Sequence, residues 1–196
     1  MTFQHQTLAA LCALAFAGTA QADFVGDIAP GNFITATSGS YGGATPNVGS
    51  AVFTPSTLTL TGGDDSLGCN GGMQADATSP CQVQTVANLH GTVSFDYLYH
   101  TDDASGPAYD LFNVLLDGVA PGVTITDPGA GSGDQSGHRS YYVNASFGWL
   151  LNCTDCTGGS ANVTISNLTF VPEPGSVALV LGAIGALALS RRSAAH

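Results

Sequence analysis

The aspartates of one short stretch have the clearest potential for chemistry. Asp102, Asp103 and Asp110 lie close together in the sequence. Carboxylate oxygens presented by loops are the hard ligands that Ca²⁺ prefers. Asp is also a favoured turn residue, and its charge keeps a domain soluble. Two interpretations therefore stand side by side, a calcium site formed by these three carboxylates or a set of solvated turn residues.

Three histidines could carry protons near neutral pH. They are His90, His100 and His138, and His100 lies close to Asp102 in the sequence, as a general base and its partner can do. The sequence has no G-x-S-x-G elbow, no H-E-x-x-H pair and no phosphate-binding loop. We therefore predict that the protein is not an enzyme and has no catalytic residue, and a hydrolase is the third and least favoured interpretation.

Cysteine usage predicts disulfides. Cys12 lies in an N-terminal apolar run, which leaves Cys69, Cys81, Cys153 and Cys156, an even number with three possible pairings. The local pairing, Cys69 with Cys81 and Cys153 with Cys156, needs the least chain organisation. Cys153 and Cys156 also match the C-x-x-C pattern of redox enzymes, but a Gly-Gly pair follows where those enzymes have a helix. A structural bridge is therefore favoured, and a zinc site is favoured less again because the spacing from Cys69 to Cys81 is too long.

The charge of the chain excludes one class of partner. The formal net charge is -11, with 14 acidic and 3 basic side chains, and Arg139 is the basic side chain between residues 23 and 170. Such a surface cannot neutralise phosphate, so nucleic acids and anionic lipid head groups are poor partners. Cations and neutral polymers remain compatible with it.

The N-terminus has the organisation of a signal peptide. Residues 8–17 form an apolar stretch that is too short to span a bilayer, and Ala20 and Ala22 supply the small-x-small pattern that signal peptidase prefers. The usual basic segment before the apolar stretch is missing. We predict a signal peptide over residues 1–22 and a mature chain that begins at Asp23 and is exported.

The C-terminal residues combine three features in a fixed order. Pro172, Glu173 and Pro174 come first, and prolines at these positions predict an extended, exposed spacer that no longer continues a strand ladder. Residues 175–190 are apolar and would reach roughly 24 Å as a helix, somewhat short of a full bilayer core. Arg191 and Arg192 follow and would hold the C-terminus in the cytoplasm. We predict a transmembrane helix over residues 175–190, with the rest of the chain outside.

This ordered composite over residues 171–196 resembles the PEP-CTERM sorting signal of Gram-negative bacteria. The resemblance implies processing by an exosortase, an integral membrane enzyme thought to recognise the Pro-Glu-Pro tripeptide and to cut nearby. Pro172, Glu173 and Pro174 would then act as a substrate. The resemblance also implies an inner membrane-anchored precursor, later placed at the cell surface or outside it, in a bacterium that makes exopolysaccharide and biofilm matrix. An ordinary tail anchor is the alternative.

Between the two ends, residues 23–170 are long enough for one domain with a core. Short segments rich in Val, Ile, Thr, Phe and Tyr alternate with Gly, Asp, Asn and Pro, a pattern that predicts an all-β sandwich. The predicted strands cover residues 32–37, 51–53, 56–61, 82–86, 92–99, 111–116, 123–126, 140–151 and 162–170.

Alternation within these strands predicts which faces are buried. The odd-numbered residues from Val93 to Tyr99 share one face, and Phe147 and Trp149 share another that anchors the core. The last strand switches face part-way, which indicates a β-bulge near Asn167. Residues 95–118 and 162–170 resemble the jelly-roll ectodomains that often precede PEP-CTERM tails, which implies a fold and no activity.

We therefore expect an exported surface or matrix protein with a structural or adhesive role in exopolysaccharide or biofilm. Its expected partners are the exosortase, the inner membrane through the C-terminal helix, and exopolysaccharide. The main alternative is a carbohydrate- or calcium-binding module that uses the same export route. The candidates for stacking on a sugar are Tyr41, Tyr99, Tyr109, Tyr141 and Tyr142. Adjacent Tyr141 and Tyr142 must point to opposite faces of a regular strand, so one of them is exposed, and neither is singled out as a binding residue.

Overall fold

Strands make up most of the residues that the structure describes. The structure is a computed structural model, and it describes residues 21–22, 24–39, 48–64, 81–153 and 158–173. These ranges contain eleven strands. Their helical residues form three short 3-10 helices at Gly26–Ile28, Pro30–Asn32 and Gly106–Ala108. The all-β prediction is confirmed. The strands are β1 (Gln21–Ala22), β2 (Ile34–Ser38), β3 (Ser50–Phe53), β4 (Thr57–Thr61), β5 (Cys81–Ala87), β6 (Gly91–Thr101), β7 (Phe112–Leu116), β8 (Val119–Thr124), β9 (Gly133–Val143), β10 (Phe147–Cys153) and β11 (Asn162–Pro172).

The strands form two antiparallel sheets. Sheet A has the order β3-β4-β11-β6-β9, with β1 also paired to β11, and sheet B has the order β2-β5-β10-β7-β8. From β4 onward the chain moves back and forth between the sheets, since β4, β6, β9 and β11 lie in sheet A while β5, β7, β8 and β10 lie in sheet B. Two sheets connected in this way form a β-sandwich.

The core lies between the inner faces of the two sheets. The odd-numbered residues from Val93 to Tyr99 are buried as predicted, and so are Phe147 and Trp149. The rings of Phe147 and Trp149 meet edge to face, with centroids 4.9 Å apart. Burying each such side chain stabilises the fold by about 1.5–3 kcal/mol. The aromatic residues of β6 and β10 therefore hold the two sheets together.

A β-bulge interrupts β11, as the sequence predicts. The register with β6 shifts between Ser166 and Thr169, and Asn167 adopts a left-handed conformation with φ of 50°. Ile165 is buried before the bulge and Leu168 after it. The extra residue lets β11 keep its apolar side chains inward on both sides of the shift.

The single strand predicted over residues 140–151 is wrong, because two strands and a tight turn occupy this stretch. The Asp117 carboxylate accepts backbone hydrogen bonds from Asn144 and Ala145, each 2.8 Å long, and from Ser146 at 3.3 Å. These bonds, that from Ala145 first, lower the pKa of Asp117. A distant carboxylate thus separates β9 from β10, which a local sequence pattern cannot reveal.

Two strand ends also differ from the prediction. β8 begins at Val119 and crosses Pro121, which is tolerated because β8 is at the edge of sheet B. β11 continues to Pro172, so the expectation that the chain leaves the ladder at Val171 is wrong. Val171 pairs with Thr92, and Pro172 ends the ladder, where the missing proline N–H costs little.

Candidate functional site

The outer face of sheet A is open and polar. On sheet B, by contrast, Asn113, Leu115 and Leu150 alternate with core residues and so face outward, yet they are buried. We use "outer face" for the outward side chains of β6, β9 and β11. These are Thr92, Ser94, Asp96, Leu98, His100, Asp134, Ser136, His138, Ser140, Tyr142, Asn162, Thr164, Ser166, Asn167, Thr169 and Val171.

His100 lies between two carboxylates at one end of the outer face. Its Nδ1 is 2.6 Å from Asp134 Oδ1, and its Nε2 is 3.2 Å from Asp102 Oδ1. The hydrogen bond to Asp134 raises the pKa of His100, and Asp102 adds to the shift while desolvation opposes it. The proximity of His100 and Asp102 in the sequence therefore corresponds to a contact in space, although Asp134 is the nearer partner.

Asp96 lies at the centre of the outer face, on β6 between β9 and β11. Its Oδ1 is 2.6 Å from His138 Nδ1 on β9, and its Oδ2 accepts a 2.7 Å hydrogen bond from the Asn167 side chain at the bulge of β11. The bond from Asn167, followed by that from His138, lowers the pKa of Asp96. One carboxylate thus joins three neighbouring strands.

The third histidine, His90, lies at the opposite end of the outer face from His100. Its Nε2 is 3.1 Å from the Tyr142 hydroxyl and 3.2 Å from Glu173 Oε2. The Tyr142 hydroxyl donates a hydrogen bond to Glu173 Oε1. All three histidines of the described chain therefore lie along one side of sheet A, each beside a carboxylate.

An open cleft adjoins the outer face at the His90 end. Its lining combines polar side chains with the apolar residues Leu89, Phe170 and Pro172. His90 belongs both to this cleft and to the group around Tyr142, so the cleft and the outer face are continuous. The polar lining residues are Asp27, Asn32, Asn88 and His90.

The side chains of the outer face are suited to binding hydroxyl groups. Carboxylates, imidazoles and hydroxyls are held in fixed pairs, as in the 2.8 Å bond from the Ser94 hydroxyl to Ser140. Leu98 and Tyr142 are 50% and 46% exposed among these polar groups. Tyr141 faces the other way and packs against Phe95, so the prediction that one of the two adjacent tyrosines is exposed is confirmed.

The three aspartates of the predicted calcium site are divided between two environments. Asp103 and Asp110 are buried, and both contact Thr101, whose hydroxyl accepts from the Asp103 N–H and donates to Asp110 Oδ2 at 3.4 Å. Asp102 is instead 82% exposed and bonds His100. Within the described ranges, no three His, Cys, Asp or Glu side chains converge as metal ligands. The calcium site stays a prediction, for which Asp103 and Asp110 would be the ligands that lie together.

The predicted disulfides fall partly within the described chain. Cys81 and Cys153 are buried and lie opposite each other in the register of β5 and β10. Each of the two forms a disulfide bond. Cys69 and Cys156 lie outside the described residues. The local pairing therefore stays a prediction.

Most of the predicted sorting and cleavage residues also lie outside the described ranges. This applies to the signal peptide up to Ala20, to Asp23, to Pro174, to residues 175–190, and to Arg191 and Arg192. Ala22, just before the predicted cleavage point, pairs with Thr169 through β1. In the parts of the chain that the structure describes, no helix has the length and apolarity to cross a bilayer.

Sequence reasoning missed the outer face as a site, although a signal for it exists. Polar residues recur at every second position of β9, at Asp134, Ser136, His138 and Ser140, as in a strand with one solvated face. Gly133 and Gly137 lower the strand propensity of this stretch and conceal the alternation.

Comparisons with known proteins give structural likenesses of low score. No family model and no curated protein matches the sequence. The chain is similar to the secreted serine protease VesC from Vibrio cholerae, with a TM-score of 0.36, 7% identity, and coverage of 70% of this chain and 24% of that one. It is also similar to the K3 cleaved adhesin domain of Lys-gingipain from Porphyromonas gingivalis, with a TM-score of 0.36, 14% identity, and coverage of 80% and 99%. A CBM4 structure gives a TM-score of 0.32, 12% identity, and coverage of 80% and 97%. At these scores, the likenesses carry no argument about the function of this chain.

Proposed function

We propose that this protein is exported, sorted to the cell surface through its C-terminal tail, and acts in the extracellular matrix as an adhesive module that binds polysaccharide. The outer face of sheet A carries the binding part of this proposal. The Pro-Glu-Pro tripeptide, the apolar residues 175–190 and the closing arginines support the sorting part. Exosortase and the inner membrane are its expected partners during sorting.

The chemistry of a sugar matches the side chains on the outer face. A sugar ring presents hydroxyl groups at its edge and C–H groups on its faces. Asp96, His138 and Ser140 can exchange hydrogen bonds with hydroxyls, and they are already oriented by their partners, which lowers the entropy cost of binding. Leu98 and Tyr142 offer exposed apolar surface for the C–H groups.

The charge of the outer face favours a neutral polymer. Asp96, Asp102, Asp134 and Glu173 place four carboxylates on this side of sheet A. Arg139 is turned away from it and lies over the Tyr97 ring, 5.4 Å from the ring centroid. An anionic polysaccharide would be repelled at neutral pH, whereas a neutral one would not.

The outer face is long enough for several sugar units. From Thr92 to His100, β6 presents every second side chain outward along about 27 Å, at roughly 3.4 Å per residue. The cleft beside His90 extends this path past the end of the strand. A linear chain lying along β6 is therefore the ligand that the geometry fits.

Affinity electrophoresis of the full chain in gels that contain the producing bacterium's exopolysaccharide tests the binding part. Ser136→Glu adds a bulky charge beside Leu98, its cross-strand neighbour, and should weaken retardation about tenfold, or by ~1.4 kcal/mol. Ala36→Glu places the same charge on the exposed edge strand β2 of sheet B and should change nothing. Equal retardation of the two variants would contradict binding through the outer face.

Mass spectrometry of protein extracted from the cell surface tests the sorting part, because it fixes both termini. We expect an N-terminus at Asp23 and a C-terminus close to the Pro-Glu-Pro tripeptide. Surface protein that still contained residues 175–196 would contradict processing of the tail.

A further inference from the structure

The middle residue of the Pro-Glu-Pro tripeptide is bound to the folded domain. The Tyr142 hydroxyl donates to Glu173 Oε1, and His90 Nε2 lies 3.2 Å from Glu173 Oε2. The Glu173 backbone N–H also reaches the His90 carbonyl at 3.4 Å. Both carboxylate oxygens of Glu173 and its main chain therefore contact the end of sheet A.

The backbone before the tripeptide is held in the same place. Pro172 pairs with Gly91, the first residue of β6. Gly91 has φ of 151°, and a Cβ at this position would lie 2.3 Å from the Val171 carbonyl oxygen. Glycine lets β11 approach closely up to its last residue. Pro172, the first residue of the tripeptide, thus belongs to the sheet and is not part of a free spacer.

The surroundings of Tyr142 agree with this geometry. The hydrogen bond to Glu173 raises the pKa of Tyr142, and Asp117 contributes a further negative charge nearby. The rings of His90 and Tyr142 lie edge to face, with centroids 6.2 Å apart. The two side chains therefore form a small, oriented pair of groups for one carboxylate.

We propose that His90 and Tyr142 form a docking site for Glu173, and that the tripeptide must leave this site before a processing enzyme can act on it. The inference rests on the proposed role of the tail as a sorting signal. An enzyme that recognises the tripeptide needs the side chain and backbone of Glu173, which are bound to the domain. Processing then scales with the fraction of molecules in which the site is open.

The strength of the docking site suits a reversible contact. His90 and Glu173 have side chains that are 56% and 46% exposed, and exposed polar pairs change an equilibrium by at most about fivefold. The site therefore slows access to the tripeptide without preventing it.

Limited proteolysis of the full chain by a proline-specific endopeptidase tests the docking site directly. The rate of cleavage after Pro172 or Pro174, followed by mass spectrometry, should rise about two- to fivefold in Tyr142→Phe, which loses the hydroxyl that donates to Glu173. Tyr141→Phe removes a neighbouring hydroxyl on the opposite face of β9 and should cleave at the wild-type rate. Equal rates in the wild type and both variants would overturn the proposal.

A second measurement guards against loss of folding in the variants. Hydrogen exchange at the Glu173 amide should be faster in Tyr142→Phe, while amides within β6 and β10 exchange as in the wild type. Faster exchange throughout both sheets would show general unfolding and would overturn the assignment of the rate change to the docking site.

Experiments in the producing cells and proteolysis of the purified chain distinguish an error in the docking proposal from an error in the sorting proposal. If replacing the tripeptide by three alanines leaves surface display and processing in the producing cells unchanged, the sorting role is wrong, and the proteolysis result still reports on docking. If the tripeptide is needed in cells but Tyr142→Phe changes neither the proteolysis rate nor the processing rate, the docking site is wrong and the sorting role stands.

Discussion

His138 and Asp96 face each other across β9 and β6, with Nδ1 of the imidazole 2.6 Å from Oδ1 of the carboxylate. The other oxygen of Asp96 accepts from Asn167, which lies at the bulge of β11. The bulge that corrects the phase of the core residues in β11 therefore also completes a polar cluster on the opposite side of the sheet. Packing and the surface chemistry of sheet A depend on the same residue.

Two substitutions of Asn167 distinguish the cost of its backbone conformation from the loss of its side-chain hydrogen bond. Asn167→Ala should destabilise the fold more than Asn167→Gly, by about 1–2 kcal/mol, because alanine has a steric cost in the left-handed conformation that glycine avoids. Both variants lose the bond to Asp96, so their difference reports the backbone alone. Chemical denaturation measures it, and equal stabilities would show that the bulge relaxes without strain.

The contact between His100 and Asp134 should appear as a pH dependence. Asp134 is the main cause of the raised pKa of His100, so Asp134→Asn should lower that pKa toward its ordinary value. Because the pKa is raised in the folded state, the wild type has the full stabilisation below the ordinary His range and loses it as the pH rises through the folded pKa. This loss should be smaller in Asp134→Asn, in which Asp102 is the remaining cause of a raised pKa.

Nuclear magnetic resonance titration of the His100 ring, with denaturation at two pH values, measures both effects. Asp102→Asn is the matched control, since Asp102 is the more distant and more exposed partner and should shift the pKa less. A larger shift in Asp102→Asn than in Asp134→Asn would contradict the assigned geometry.

Glu173→Gln should lower the pKa of Tyr142. The hydrogen bond to the carboxylate is the first cause of the raised value, and the neutral amide removes the negative charge. Ultraviolet titration of the tyrosines follows the change. The pKa of Tyr141, which burial raises, should stay constant as an internal reference. An unchanged Tyr142 would mean that Glu173 does not lie against it in solution.

The aromatic core should dominate stability. Trp149→Ala should destabilise the fold by about 3–5 kcal/mol, because Trp149 is fully buried and contacts Phe33 and Phe95 as well as Phe147. Val52→Ala on the exposed side of β3 should change stability by less than about 0.5 kcal/mol. Thermal unfolding followed by near-ultraviolet circular dichroism measures both, and comparable losses would contradict the assigned core.

The local periodicity of the sequence predicted the strands whose side chains alternate between buried and exposed. It did not predict the features that depend on contacts between residues far apart in the sequence. The buried face of β6 and the bulge near Asn167 follow from the order of apolar residues in each strand. The turn after β9 depends on Asp117, more than two dozen residues earlier in the chain, and the Asp96 cluster depends on three strands meeting. No pattern within one strand contains either arrangement.

The histidines of the described chain allow a direct test of polysaccharide binding by the outer face. His90, His100 and His138 all lie along this side of sheet A, so their ring C–H resonances report on it, and single His→Gln variants assign them. Titration of the full chain with neutral fragments of the producing bacterium's exopolysaccharide should shift these three resonances together and in a saturable way. Resonances that stay unchanged at saturating polysaccharide would contradict the account.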